Sequence, residues 1–138
     1  MRLCAFAVRF RSMATTVKAA AVRWLVSKFG EKSNTVCASK LYIPEKSWTR
    51  RSAWWLEIPQ RTIETPKLDE IDLLCEVASG ANEFYYLKVP VEFFKKELPK
   101  LCVRNNGKVS LFLSAEPDEM FVEQRGSGKI GFGRFLKT

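Results

Sequence analysis

Ile71-Asp72-Leu73-Leu74-Cys75-Glu76-Val77, followed six residues later by Phe84-Tyr85-Tyr86-Leu87-Lys88-Val89, decides the fold of this chain. Both runs are apolar and β-prone, and the segment between them, Ala78-Ser79-Gly80-Ala81-Asn82-Glu83, is a cluster of turn formers. Two such runs around such a cluster read as a β-hairpin. Alternation places Ile71, Leu73, Cys75 and Val77 on one face of the first arm and Asp72, Leu74 and Glu76 on the other. Leu74 on an otherwise acidic face points to a strand covered on both sides, as in the middle of a sheet. In the second arm Phe84, Tyr86 and Lys88 oppose Tyr85, Leu87 and Val89.

Outward from the hairpin, Pro90 suits the first position of a helix that carries Phe93, Phe94 and Leu98 on apolar spacing and is limited by Pro99. The Asn106-Gly107 turn joins a short run at 101–104 to a strand at Val109–Leu113. Before the hairpin, Ala53–Ile58 is a strand stopped by Pro59, with Trp54, Leu56 and Ile58 on one face and Trp55 and Glu57 on the other. A shorter strand is expected at Val36–Ile43. From Ala14 to Phe29 the pattern is helical: Val22, Leu25, Val26 and Phe29 share a face, Thr15 or Thr16 can cap the start, and Gly30 is a fitting stop. The expectation is α+β: a single domain with a four- or five-stranded mixed or antiparallel sheet and two packed helices. Residues 1–12 read as a basic N-terminal arm or extension and 13–138 as the domain.

The chain has 138 residues, enough for a real core, and its 46% hydrophobic and 28% charged residues exclude disorder throughout. No apolar run approaches the roughly 18–20 residues needed to span a bilayer. There is no histidine, which excludes Ser-His-Asp and Cys-His nucleophiles and His-ligated zinc. Cys4, Cys37, Cys75 and Cys102 are widely spaced and read as free thiols of a cytoplasmic protein. No resident cofactor or metal is expected.

The net charge of +8 is unevenly placed. Residues 1–52 carry 11 of the 23 Lys and Arg but only two of the 15 acids, Glu31 and Glu45, so the whole excess is N-terminal. Such asymmetry points to a polyanionic partner or a targeting segment. Lys46-Ser47-Trp48-Thr49-Arg50-Arg51 interleaves cations with an aromatic ring, a pattern that suits phosphate contact together with base stacking. The Gly-rich tail places Arg125, Lys129 and Arg134 among Phe132 and Phe135 and lacks phosphate-loop spacing. The expectation is a non-enzymatic domain that binds DNA or RNA through Lys46, Trp48, Arg50, Arg51, Arg125, Lys129, Arg134 and the N-terminal arginines.

Two alternatives remain open. The coarse order of helix, three strands, helix and strand resembles the core of the restriction-endonuclease-like (PD-(D/E)xK) nucleases over roughly residues 14–114. That resemblance implies an Mg²⁺ site and water activation by Glu57, Asp72 and Lys88, although the residue two before Lys88 is Tyr86 rather than an acid. The other alternative is a protein-interaction or assembly subunit. Its first 30 residues, basic and without an acid, would then be a mitochondrial targeting segment.

Overall fold

The computed structural model describes residues 17–138 with the exception of Ser79. The basic arm at 1–12, its arginines and the cap at Thr15 or Thr16 lie outside the described residues. Helix α1 (17–29) is followed by β1 (Val36–Ser39), β2 (Leu41–Tyr42), β3 (Ala53–Pro59), α2 (Gln60–Ile63) and β4 (Glu70–Glu76). Then come β5 (Phe84–Pro90), α3 (Val91–Glu97), β6 (Cys102–Val103), β7 (Lys108–Ser114) and β8 (Leu136–Lys137).

The α+β single domain expected from the sequence is what forms, but its strands divide between two four-stranded sheets. The first, β1-β4-β5-β8, is mixed, because β1 runs parallel to β4. The second, β2-β3-β7-β6, is antiparallel. The strands read as consecutive neighbours, β3 and β4, therefore belong to different sheets, and the three-stranded nuclease-like core does not assemble in one layer.

The hairpin pairs β4 with β5 in the register Asp72↔Lys88 and Leu74↔Tyr86. β4 is central and buried on both faces, as Leu74 indicated. Its inner face, Ile71, Leu73 and Cys75, meets Trp54, Leu56 and Ile58 of β3 and Val109, Leu111 and Leu113 of β7 in one core between the sheets. Fully burying a side chain of this size contributes about 1.5–3 kcal/mol. Ile63 of α2, Val91 and Phe94 of α3, and Phe121, Ile130 and Phe132 of the tail complete that core.

Helix α1 covers the outer face of the first sheet. Ala20, Ala21 and Leu25 pack on Val36, Leu74, Phe84 and Tyr86, with Trp24 and Phe29 alongside. The buried stripe is rotated from the one expected: Val26 faces solvent, because two alanines let that side of the helix approach the sheet closely. Gly30 ends the helix at φ +66°, its N–H donating to the Val26 carbonyl, a left-handed stop that glycine takes without strain.

The expected strand 36–43 is broken at Lys40. Ser39 Oγ donates to the Lys40 carbonyl at 2.7 Å and accepts the Trp55 N–H at 2.9 Å. This bend carries the chain from one sheet to the other, so β1 and β2 serve different layers. Among the described residues no helix is long and apolar enough to cross a membrane.

Candidate functional site

With α1 on the first sheet, the open face is the outer side of the second. The β3–β7 register sets Trp55 beside Phe112 and Glu57 beside Ser110 there. Over this face the chain from 42 to 50 folds into a wall, enclosing a hollow of about 490 Å³ none of whose lining residues belongs to an α-helix. Among the described residues its aromatic lining is Tyr42, Trp48, Trp55 and Phe112; its basic lining is Lys46, Arg50, Arg104 and Arg125, against the single acid Glu45.

The wall is built by local hydrogen bonding. Ile43–Ser47 forms a 3₁₀ turn, with Lys46 N–H donating to the Ile43 carbonyl at 2.9 Å. Ser47 is buried; its hydroxyl accepts the Thr49 N–H at 3.3 Å, and its carbonyl accepts the Arg50 N–H at 3.1 Å. Arg50 closes this turn at φ +62°. Trp48 projects from the turn 61% exposed, its ring edge-on to Phe112 at 5.8 Å.

The floor is fixed through Ser110. Its hydroxyl oxygen accepts the Trp55 indole N–H at 2.8 Å and an Arg125 guanidinium N–H at 3.1 Å. The Arg125 guanidinium lies 5.4 Å from the Trp48 ring centroid and that of Arg104 5.9 Å from Trp55, both within cation–π reach. Arg104 also donates to Glu57 Oε2 at 2.9 Å.

Arg125 is delivered by a buried carboxylate. Glu123, 1% exposed, accepts N–H bonds from Phe112 at 2.8 Å, Arg125 at 3.0 Å and Gly126 at 2.6 Å. Gly126 passes so close to the Lys100 carbonyl that a Cβ there would collide with it. The Gly-rich tail is thus stapled to β7 rather than loose.

The residues named from sequence separate into groups. Lys46, Trp48, Arg50 and Arg125 come together in the hollow. Arg51 does not join them: its guanidinium is held by Asp118 at 2.8 Å and Glu119 at 2.7 Å, with Glu116 at 3.9 Å. Arg134 lies over Phe93 and Phe135 at 4.7 and 5.0 Å and lines a separate hollow with Glu97. Lys129 is exposed and lines neither.

Glu57, Asp72 and Lys88 do not converge. Glu57 stands on the outer face of the second sheet with Arg104, whereas Asp72 and Lys88 are cross-strand neighbours on the outer face of the first. Glu76 shares a face with Asp72, but it is four residues away, about 13 Å along a strand. Its oxygens accept the N–H groups of Leu41 and Gly80. Asp72 and Lys88 instead belong to a polar cluster around Tyr86, whose hydroxyl stands 2.8 Å from both Asp72 Oδ1 and Glu31 Oε2 and donates its single proton to one at a time. Lys88 Nζ donates to Glu31 Oε1 at 3.1 Å and lies 3.6 Å from Glu70. Burial, then hydrogen bonding to the two carboxylates, pushes the Tyr86 phenol up, while the Tyr86 hydroxyl and the Lys88 ammonium hold Glu31 below its ordinary range.

Sequence reading did not identify Tyr42, Arg104, Phe112, Ser110 or Glu123 as parts of the hollow. Only Trp55 carried a signal, its alternation opposite the core residue Trp54. The described cysteines, Cys37, Cys75 and Cys102, are free, and burial pushes the Cys37 thiol up to about 11. No protein-family model, curated protein or solved structure matches the chain.

Proposed function

We propose that this domain is a nucleic-acid-binding module and that the hollow on the second sheet is its contact surface. One observation carries the reading: the exposed Trp48 ring stands among Lys46, Arg50 and Arg125, in a hollow whose only acid among the described residues is Glu45. Cations give sequence-independent attraction to phosphates, and an exposed indole gives a face on which a base stacks. The hydrogen-bonded turn beneath Trp48 supports it further, since a ring already held in place loses little freedom on binding. The N-terminal excess of positive charge adds long-range attraction for the same kind of partner.

Titration of tryptophan fluorescence with mixed-sequence DNA and RNA oligonucleotides, at low and raised salt, tests this. With three phosphate-contacting cations the salt slope is about 2.1–2.7, so affinity falls roughly 20- to 40-fold when salt rises fourfold. Lack of binding to any oligonucleotide at low salt overturns the reading.

A further inference from the structure

We infer that the ligand of this surface is an unpaired strand, with Trp48 as the stacking group and Glu57 as an internal competitor of phosphate for Arg104. The inference rests on the nucleic-acid reading and narrows it. In a duplex the faces of the bases are covered by their neighbours in the stack, and only base edges, sugars and phosphates are presented to a protein. A ring can stack on a base only where that base is free. Trp48 is 61% exposed and Trp55 36% exposed, and both line the same hollow, so the apolar part of this surface has a use only for unpaired bases. Nor does the hollow offer an α-helix or a projecting two-stranded ribbon of the kind that enters a major groove; its floor is the face of a sheet. A concave space of about 490 Å³ lies within the range, roughly 300–1,000 Å³, of sites that enclose small organic groups, which suits a few splayed nucleotides.

The charges are arranged for the same ligand. Lys46, Arg50 and Arg125 carry no ion pair to an acid among the described residues. Arg104 differs: it lies over Trp55 and is already paired with Glu57 at 2.9 Å. A phosphate that reaches Arg104 competes with Glu57 for the guanidinium charge and is repelled by the Glu57 carboxylate. Glu57 therefore lowers affinity for any strand that runs past Trp55, and neutralising it makes a fourth cation available.

The test uses the full chain, fluorescently labelled single-stranded DNA and RNA of about a dozen nucleotides, and the corresponding duplexes, followed by anisotropy at several salt concentrations. Single strands are expected to bind at least tenfold more tightly than duplexes. Trp48→Ala is expected to weaken single-strand binding about tenfold and duplex binding much less, whereas Trp48→Phe, which keeps a ring on Phe112, retains most of the affinity. Glu57→Gln is expected to tighten single-strand binding several-fold and to steepen the salt slope by about 0.7, the value of one added phosphate contact on a single strand. A gain of affinity cannot arise from misfolding, so this variant guards against a trivial loss. Equal or tighter binding of duplex overturns the single-strand inference while leaving the nucleic-acid reading in place. Unchanged or weaker binding by Glu57→Gln overturns the competitor role, and no binding to any probe overturns both readings. The DNA and RNA arms show whether the 2′-hydroxyl is read.

Discussion

The Arg125 guanidinium stands 5.4 Å from the centroid of the Trp48 ring. The two residues lie 77 positions apart in the chain and meet because Trp48 is raised on a turn beside β3 while Glu123 holds the tail against β7. Arg125→Lys keeps the charge but loses the planar face that lies over the indole and the fork that reaches Ser110. It is expected to preserve the salt slope while weakening oligonucleotide affinity a few-fold. Arg125→Ala is expected to lose affinity and also to lower the slope by about 0.7–0.9. Anisotropy titrations at several salt concentrations separate the two effects.

Arg50 allows backbone and charge to be separated. It sits at φ +62°, a conformation that costs a non-glycine residue about 1–2 kcal/mol. Arg50→Gly relieves that strain but adds freedom to the unfolded chain, about 0.4–1 kcal/mol. Folding stability is therefore expected to hold or rise by up to about 1.6 kcal/mol by urea denaturation, while nucleic-acid affinity falls at low salt.

Arg51, adjacent in sequence, is expected to behave in the opposite way. Its charge is engaged by Glu116, Asp118 and Glu119, which ties the chain before β3 to the turn after β7. Arg51→Ala is expected to leave oligonucleotide affinity within about twofold of the parent and to change stability little by urea denaturation, since these ion pairs are exposed to solvent.

Glu123 ties the tail to β7 by accepting three backbone N–H bonds. Glu123→Ala leaves three backbone N–H groups without their acceptor; that of Phe112 is buried and costs about 1–3 kcal/mol, and those of Arg125 and Gly126 are part-buried and cost less. A loss of at least about 1 kcal/mol is expected by chemical denaturation. Glu123→Gln, which keeps one acceptor oxygen, is expected to lose less.

The Tyr86 cluster predicts the pH dependence of stability. Glu31 is depressed, first by the Tyr86 hydroxyl and then by Lys88, so its contribution is present above its ordinary value of 4.5 and is lost as pH falls through the depressed value. Lys88 is raised, first by its hydrogen bond to Glu31, so its contribution is present below its ordinary 10.5 and is lost as pH rises through the raised value. Tyr86 is also raised, first by burial, so from this cluster stability is flat only between 4.5 and the ordinary 10.0 of the phenol, above which Tyr86 and then Lys88 lose their contributions. Tyr86→Phe is expected to make the acid limb shallower, modestly because the Glu31 side chain is 37% exposed. It also removes a donor from buried Asp72, at about 1–3 kcal/mol, measured by denaturation near neutral pH.

What could be read from the sequence was what depends on neighbours along the chain. Period-two alternation identified both arms of the hairpin, the inward face of β3 and the burial of Leu74, because successive side chains of a strand must point to opposite sides. Gly30 marked the end of α1, and the interleaving of Lys46, Trp48 and Arg50 marked a basic aromatic turn. The division of the strands into two sheets was not legible, because it turns on the bend at Lys40 and on β3 choosing β7 over β4, contacts between residues far apart in the chain. The same division separates Glu57 from Asp72 and Lys88, hides Tyr86 beneath α1 and leaves Trp55 open. Charge and aromatic composition suggested the kind of contact proposed for this protein. Which cations share one hollow, and which are already held by acids, was decided only when long-range pairing placed them, since ion pairs form by distance in space and not by distance along the chain.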